Sequence, residues 1–163
     1  GLAPRLEPFL LRLTGNRARA EDALQQTMLQ IHRARGRFVA GAAVVPWAFA
    51  IARRVAIDHH RRGSREILGT DDDDATLNLV AAVDAHADEV AIAKELAKRL
   101  ERELEAIPDN QRAAFELIKL DGLSVADAAA VLGTTVAAVK VRAHRAYEAL
   151  RAAIASLEGG SRV

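Results

Sequence analysis

The sequence predicts an all-α protein made of two small helical domains on a flexible tether. Three observations carry that expectation. The chain is 50% apolar and rich in alanine and leucine, which favour helix, while extended runs of β-branched residues are missing. Apolar residues recur at spacings of three and four along several segments. Between two such groups lies a stretch of poor periodicity that contains four consecutive aspartates, residues 71–74.

Size and composition set bounds. The 163 residues suffice for one ordinary domain or two small ones. A charged fraction of 28% is typical of folded globular chains, and only 4% is aromatic. There is no cysteine, which excludes disulfides and thiolate metal sites and fits a reducing cytosol. No apolar run reaches the roughly 18 residues that span a bilayer. A cytoplasmic location without membrane insertion is therefore expected. The chain starts at Gly1 with no signal-like segment after it, so a start inside a longer protein is expected.

The net charge of +1 conceals a pattern. Residues 1–66 hold 12 basic and 5 acidic side chains, a balance of +7. Residues 67–110 hold 4 and 12, a balance of −8, and residues 111–163 hold 7 and 5, a balance of +2. Basic surfaces attract polyanions, of which nucleic acid is the commonest, although a solvated helix face gives the same count.

Residues 20–34 place Ala20, Leu24, Met28 and Ile31 at helical spacing, which predicts a helix with those four as its buried stripe. Asp22, Gln25, Gln26, Leu29 and Arg33 fall opposite. The glycines of "RARGRF" and "VAGAAVV" weaken helix, so residues 36–45 are read as a loop. Pro46 suits the first turn of a new helix. Trp47, Ala48, Ile51, Ala52 and Val55 form its packed side, and Arg53, Arg54, Arg61 and Arg62 are left out of that stripe. An end near Gly63 is expected. Crowded like charges resist compaction, which predicts a linker to about residue 87, with some helix around residues 77–83.

Helical spacing returns with Ala93, Leu96, Leu100, Leu104 and Ile107. Pro108 ends this helix and helps start another. Asp109 or Asn110 can support the new N-terminus, and Ala113, Leu117 and Leu120 form the predicted stripe. Asp121-Gly122 is a turn signal. Ser124 followed by Asp127 fits a capping box with Asp in place of the usual Glu. A short helix then runs to Leu132, Gly133 permits a left-handed backbone, and Thr135 caps a longer helix over about 136–156. The expected divisions are residues 1–63, 64–87 and 88–163.

Two helices joined by a short glycine turn make a helix-turn-helix. Ala129 is small enough for a close crossing, Val139 supplies an inward apolar residue, and Leu132 fills the angle. In such a motif the start of the second helix enters the major groove. Thr134, Thr135, Ala137, Ala138, Lys140, Val141, Arg142, His144 and Arg145 are then at or near DNA. Basic side chains reach guanine edges or phosphates, and small ones allow close approach.

The stretch "LSVADAAAVLGTTVAAVKVRAHRAYEALR" resembles the promoter-reading C-terminal region of bacterial sigma factors. "IPDNQRAAFELIKLDGLS" is similar to the helix before it. "ARAEDALQQTMLQIHRARGRF" resembles the family's core-polymerase-binding helix, and "PWAFAIARRVAIDHHRR" its promoter-melting helix. The likeness covers nearly everything outside residues 63–87. The short length without a middle domain is similar to the extracytoplasmic-function (ECF) group of the sigma-70 family, whose architecture is two helical domains on a tether.

The resemblance implies roles. Glu21, Asp22, Gln25, Gln26, Met28, Leu29 and His32 match the helix that grips bacterial core RNA polymerase. Phe38, Pro46 and Trp47 match the loop and helix start that capture a flipped base of the −10 element, with Arg53, Arg54, Asp58, His59, Arg61 and Arg62 beside them. Residues 134–145, as named above, match the −35-reading helix. Promoter DNA and an inhibitory anti-sigma factor are implied partners, and the acidic linker is implied to pass through polymerase channels, although a solubilising spacer has the same composition. The loop "VAGAAVV" departs from the family pattern, with no Asn or Asp to read a base edge. The family also has a helix before "LAPRLEPFLLRL".

Two other classes compete. A metal-dependent enzyme would draw on residues 71–74 with His59, His60 or His86. Consecutive aspartates in a flexible tract lack the rigid support that metal ligands need, and His59 and His60 point to different helix faces. No phosphate-binding glycine loop or nucleophile elbow is present. Neither catalysis nor a cofactor or metal is expected. A stand-alone helix-turn-helix regulator would use only the C-terminal motif and bind duplex without polymerase.

Overall fold

The computed structural model describes residues 1–66 and 87–160. Among the described residues the chain is helical and has no strand. The elements in order are α1 (Ala3–Thr14), α2 (Arg17–Ala34), a one-turn 3-10 helix (Arg35–Arg37), α3 (Val44–Glu66), α4 (Ala87–Ala106), α5 (Asp109–Lys119), α6 (Val125–Leu132) and α7 (Val136–Gly160). The chain divides into two compact units, one drawn from Gly1–Ala75 with Ala126–Thr134 and the other from Thr76–Val125 with Thr135–Val163. The aspartates at 71–74, the helical stretch expected around 77–83 and His86 lie outside the described residues.

In the first unit α1, α2 and α3 pack pairwise. Two adjacent residues end α1 and start α2. Gly15 takes φ 66, and its N–H bonds to the Leu11 carbonyl at 2.9 Å. Asn16 then caps α2, its Oδ1 accepting from the Arg19 N–H at 2.9 Å. Such a cap stabilises a helix by about 1 kcal/mol. Leu6, Leu10 and Phe49 are wholly buried, and the rings of Phe9 and Phe49 lie 4.9 Å apart at 54°. A tilted aromatic pair contributes about 0.5–1.5 kcal/mol beyond its buried area. The Arg5 guanidinium sits 5.9 Å from the Phe49 ring centre.

The buried stripe of α2 differs from the sequence expectation. It is Ala20, Ala23 and Thr27, while Leu24 and Ile31 are half-buried and Met28 is 39% exposed. Small residues along this row let helix backbones approach closely. Thr27 is tolerated there because its hydroxyl donates to the Ala23 carbonyl at 2.7 Å. Helix α3 begins at Val44, with Pro46 in its first turn as expected, and runs through Gly63 to Glu66 instead of stopping at the glycine. A helical glycine costs only about 1 kcal/mol relative to alanine, too little to end a helix that is packed elsewhere. Phe49 and Ala56, absent from the expected stripe, are buried with Ala48, Ile51, Ala52 and Val55.

In the second unit α5 and α4 both pack on α7. The buried residues include Ile107, Ala114, Leu117, Leu123, Val139 and Ala146. Arg112 fixes the α4–α5 corner by donating to Asp109 Oδ1 at 2.9 Å and to the Leu104 carbonyl at 3.4 Å. Leu96 is 48% exposed and Ala93 only half-buried, so the early turns of α4 do not bury the expected stripe. On α5 the stripe is Ala114 and Leu117, not Ala113, Leu117 and Leu120. Leu120 is the C-cap and exposed, because the helix ends there. Gly122 then takes φ 69, and the Leu123 N–H bonds to the Leu117 carbonyl at 2.9 Å. That reversal buries Leu123 where a continuing helix would have placed a later residue.

Candidate functional site

The first surface lies on α2. Glu21, Gln25, Met28 and His32 follow one another at steps of three and four, with Asp22 and Leu29 alongside. All six are exposed on one face. Gln26 is half-buried at its margin. Met28 and Leu29, the latter 42% exposed, give this face an apolar centre inside a polar rim. Glu21 Oε1 accepts from Arg17 Nε at 3.1 Å. Exposed pairs of this kind contribute about 1 kcal/mol or less, so the contact yields readily to a partner. At the far end His32 Nδ1 lies 3.4 Å from Arg35 Nη1.

The second surface begins where the 3-10 helix ends. The rings of Phe38 and Trp47 lie 5.0 Å apart at 52° and hold together the two ends of the loop between them. Within that loop Gly41 takes φ 93 and the Ala42 N–H bonds to the Val39 carbonyl at 3.0 Å. Trp47, Arg54 and Arg61 stand seven residues apart, so they line one side of α3. Asp58 lies between the two arginines, and Arg62 is next to Arg61. These four charged residues are exposed. Arg53 and His59 are half-buried, and Pro46 is buried. The expected set is therefore brought together only in part: Trp47, Arg54, Asp58 and Arg61 share a side, while Arg53 and Pro46 do not join it.

The third surface follows α6. Gly133 takes φ 63, and no atom lies within 4 Å of where a Cβ would sit. The requirement for glycine there is conformational, not a lack of space. The Thr134 N–H is committed to the Ala129 carbonyl at 3.1 Å. Thr135 Oγ1 accepts from the Ala138 N–H at 3.1 Å and so caps α7. Ala129 and Val139 are buried and Leu132 is half-buried. On α7, Ala137, Lys140, Val141 and His144 form one outward face, and Arg145 is exposed at its flank. Val141 is 50% exposed. Ala138 and Arg142 are half-buried on the side of Val139 and Ala146, and Thr134 is half-buried in the turn.

Other residues enter this picture that sequence reasoning did not assign. Arg35 and Arg37 are exposed immediately before Phe38; within the stretch already expected to capture a base, Val39 is exposed in the loop and Val44 at the start of α3. A signal for the arginines stands in the sequence: residues 23–57 contain no Asp or Glu at all. Among the described residues no group of three or more His, Asp and Glu could hold a metal. None of the described helices is long and apolar enough to cross a membrane.

Comparison with known proteins gives these surfaces a family. Residues 2–66 match the model for Sigma-70 region 2, and residues 97–150 match the model for Sigma-70, region 4. The chain is 35% identical over 158 residues to the RNA polymerase sigma factor CarQ of Myxococcus xanthus, covering 96% of this chain and 86% of that one. It is 38% identical over 142 residues to the ECF RNA polymerase sigma factor SigF of Caulobacter vibrioides, covering 87% and 74%. The fold is similar to that of the sigma factor RpoE, solved with the anti-sigma factor NepR from Bartonella quintana. There the TM-score is 0.73 at 24% identity, over 94% of this chain and 91% of that one. The chain belongs to the extracytoplasmic-function group of the sigma-70 family of RNA polymerase sigma factors. That family comprises transcription initiation factors, which favours this reading over a stand-alone helix-turn-helix regulator and over an enzyme.

Proposed function

We propose that this protein binds bacterial core RNA polymerase in the cytoplasm and directs it to a set of promoters. The outward face of α2, with Glu21, Asp22, Gln25, Met28, Leu29 and His32 and with Gln26 at its edge, docks on polymerase through its apolar centre. Phe38 and Trp47 stack on a base taken out of the −10 duplex, which offsets the few kcal/mol that unstacking costs. Arg54, Arg61 and Arg62 hold phosphates along α3, with Asp58, His59 and Arg53 nearby and Pro46 setting the helix start. The turn and first part of α7, from Thr134 to Arg145, read the −35 element, with Ala137, Lys140, Val141 and His144 nearest the groove. The functional divisions are residues 1–63 for polymerase and −10 binding, 64–87 as the acidic linker and 88–163 for −35 binding.

The observation that carries this reading is the ring pair of Phe38 and Trp47 at the head of an arginine-lined helix side. Aromatic faces beside aligned cations suit an unstacked strand. An anti-sigma factor is the proposed inhibitor. The sigma factor RpoE, whose fold is similar, was solved in complex with the anti-sigma factor NepR, and CnrH, also of similar fold, in complex with the cytosolic domain of CnrY. The exposed Met28 and Leu29 give a competitor for the polymerase surface something to cover.

A gel shift tests the reading against the stand-alone regulator. The free protein is expected to bind promoter duplex weakly, and to bind it specifically once core polymerase is added. Tight specific binding without polymerase would favour the regulator instead.

A further inference from the structure

The segment between Phe38 and Trp47, a loop leading into the first turn of α3, has an unusual surface. Residues 39–45 read Val-Ala-Gly-Ala-Ala-Val-Val and contain no side chain able to donate or accept a hydrogen bond. Val39 is 72% exposed and Val44 42% exposed. The Ala42 N–H and the Val39 carbonyl are already paired with each other. The ring pair fixes the loop at its neck, so these methyl groups stand next to the proposed stacking platform. The surroundings are cationic: Arg35 and Arg37 precede the loop, Arg53 and Arg54 follow it, and no acidic residue occurs between 23 and 57. A nucleic acid strand is the occupant that this charge selects.

Stacking alone tolerates every base, because every base has a π-face. Selection must come from edges. From these side chains a base edge gains nothing through its donors and acceptors, and it is disfavoured if they lose water against the methyl groups without a partner. Thymine carries an apolar group on its edge, the C5-methyl, and apolar side chains contact it favourably. We infer that this loop selects the captured base by methyl contact, so that thymine is preferred at that position. The inference rests on the proposed role of Phe38 and Trp47 in base capture and adds the means of discrimination.

The test isolates one methyl group. Holoenzyme assembled from the full chain and bacterial core RNA polymerase is offered randomised non-template single strands, made once with thymidine and once with deoxyuridine. Burial of a methyl corresponds to about a fourfold change in affinity. One position is expected to enrich thymine, and enrichment there falls about fourfold in the deoxyuridine library. Val39→Thr and Val44→Thr keep the side-chain shape but place a hydroxyl in the loop and at the start of α3, and each is expected to shrink the thymine-to-deoxyuridine ratio. Equal enrichment of thymine and deoxyuridine at every position would overturn the inference while leaving base capture standing. So would a purine preference that the two threonine variants leave unchanged. If neither library enriches any sequence, the parent reading fails and this one goes with it.

Discussion

Replacing Trp47 with alanine is expected to lower promoter opening by the holoenzyme by one to two orders of magnitude. Trp47 packs against Phe38 at 5.0 Å and heads the side of α3 that carries Arg54 and Arg61. Base–aromatic stacking is worth about 1–3 kcal/mol per base, which corresponds to about 5- to 150-fold in an equilibrium. The loss falls on the opened state, since a paired base is not available to the ring. Duplex binding through α7 should therefore persist. Rates of open-complex formation on a duplex and on a template with a pre-formed bubble separate the effects. The bubble supplies the unpairing, so the Trp47→Ala defect should shrink on it. A defect of equal size on both templates would point to misfolding of the loop, and no defect on either would remove Trp47 from strand opening. Trp47→Phe, which retains a ring, should recover much of the activity.

Lys140→Ala is expected to weaken holoenzyme binding to duplex carrying the −35 element by about 1–3 kcal/mol if the ammonium reaches a base edge. Lys140 is exposed on the same face of α7 as Ala137, Val141 and His144, one turn in from the Thr135 cap. Arg142, equally attractive from sequence, is half-buried toward the packed side and should matter less. Arg151→Ala, two turns beyond the proposed contact region, should leave binding unchanged. Titration over a range of salt distinguishes the modes of contact. If Lys140 holds a phosphate, the log–log salt slope should fall by about 0.9, and affinity should drop alike for all sequences. Unchanged affinity and unchanged slope would exclude Lys140 from the interface.

The sequence made the helices legible where their stop and start signals are local. Gly133, Thr135 and Pro108 each mark a boundary through their own backbone preference or side chain, and those boundaries fall where expected, whereas α3 starts at Val44, two residues before Pro46 and inside the stretch expected as a loop. The stripes were harder to read. Leu and Met draw attention on a helical wheel, yet α2 buries Ala20, Ala23 and Thr27 and leaves Met28 exposed. Close helix packing favours small residues, and an exposed apolar residue is what a docking face requires, so hydropathy alone points the wrong way there. Leu96 and Leu120 were misplaced for a related reason: spacing does not reveal where along its length a helix is covered.

The candidate surfaces follow the same division. The α2 face and the outward face of α7 could be assembled from spacing together with family resemblance. The near contact of Phe38 and Trp47 across nine positions could not, because it depends on a turn at Gly41 that no periodicity encodes. Nor could the separation of Arg53 from Arg54 and Arg61, which is a matter of which side of α3 the core occupies.

The most direct measurement is run-off transcription with purified protein, bacterial core RNA polymerase and a pool of genomic promoter fragments. A small set of discrete start sites is expected, which appear only when both proteins are present and share upstream and downstream sequence elements. Transcripts that start at the same positions with and without this protein would contradict the proposed function.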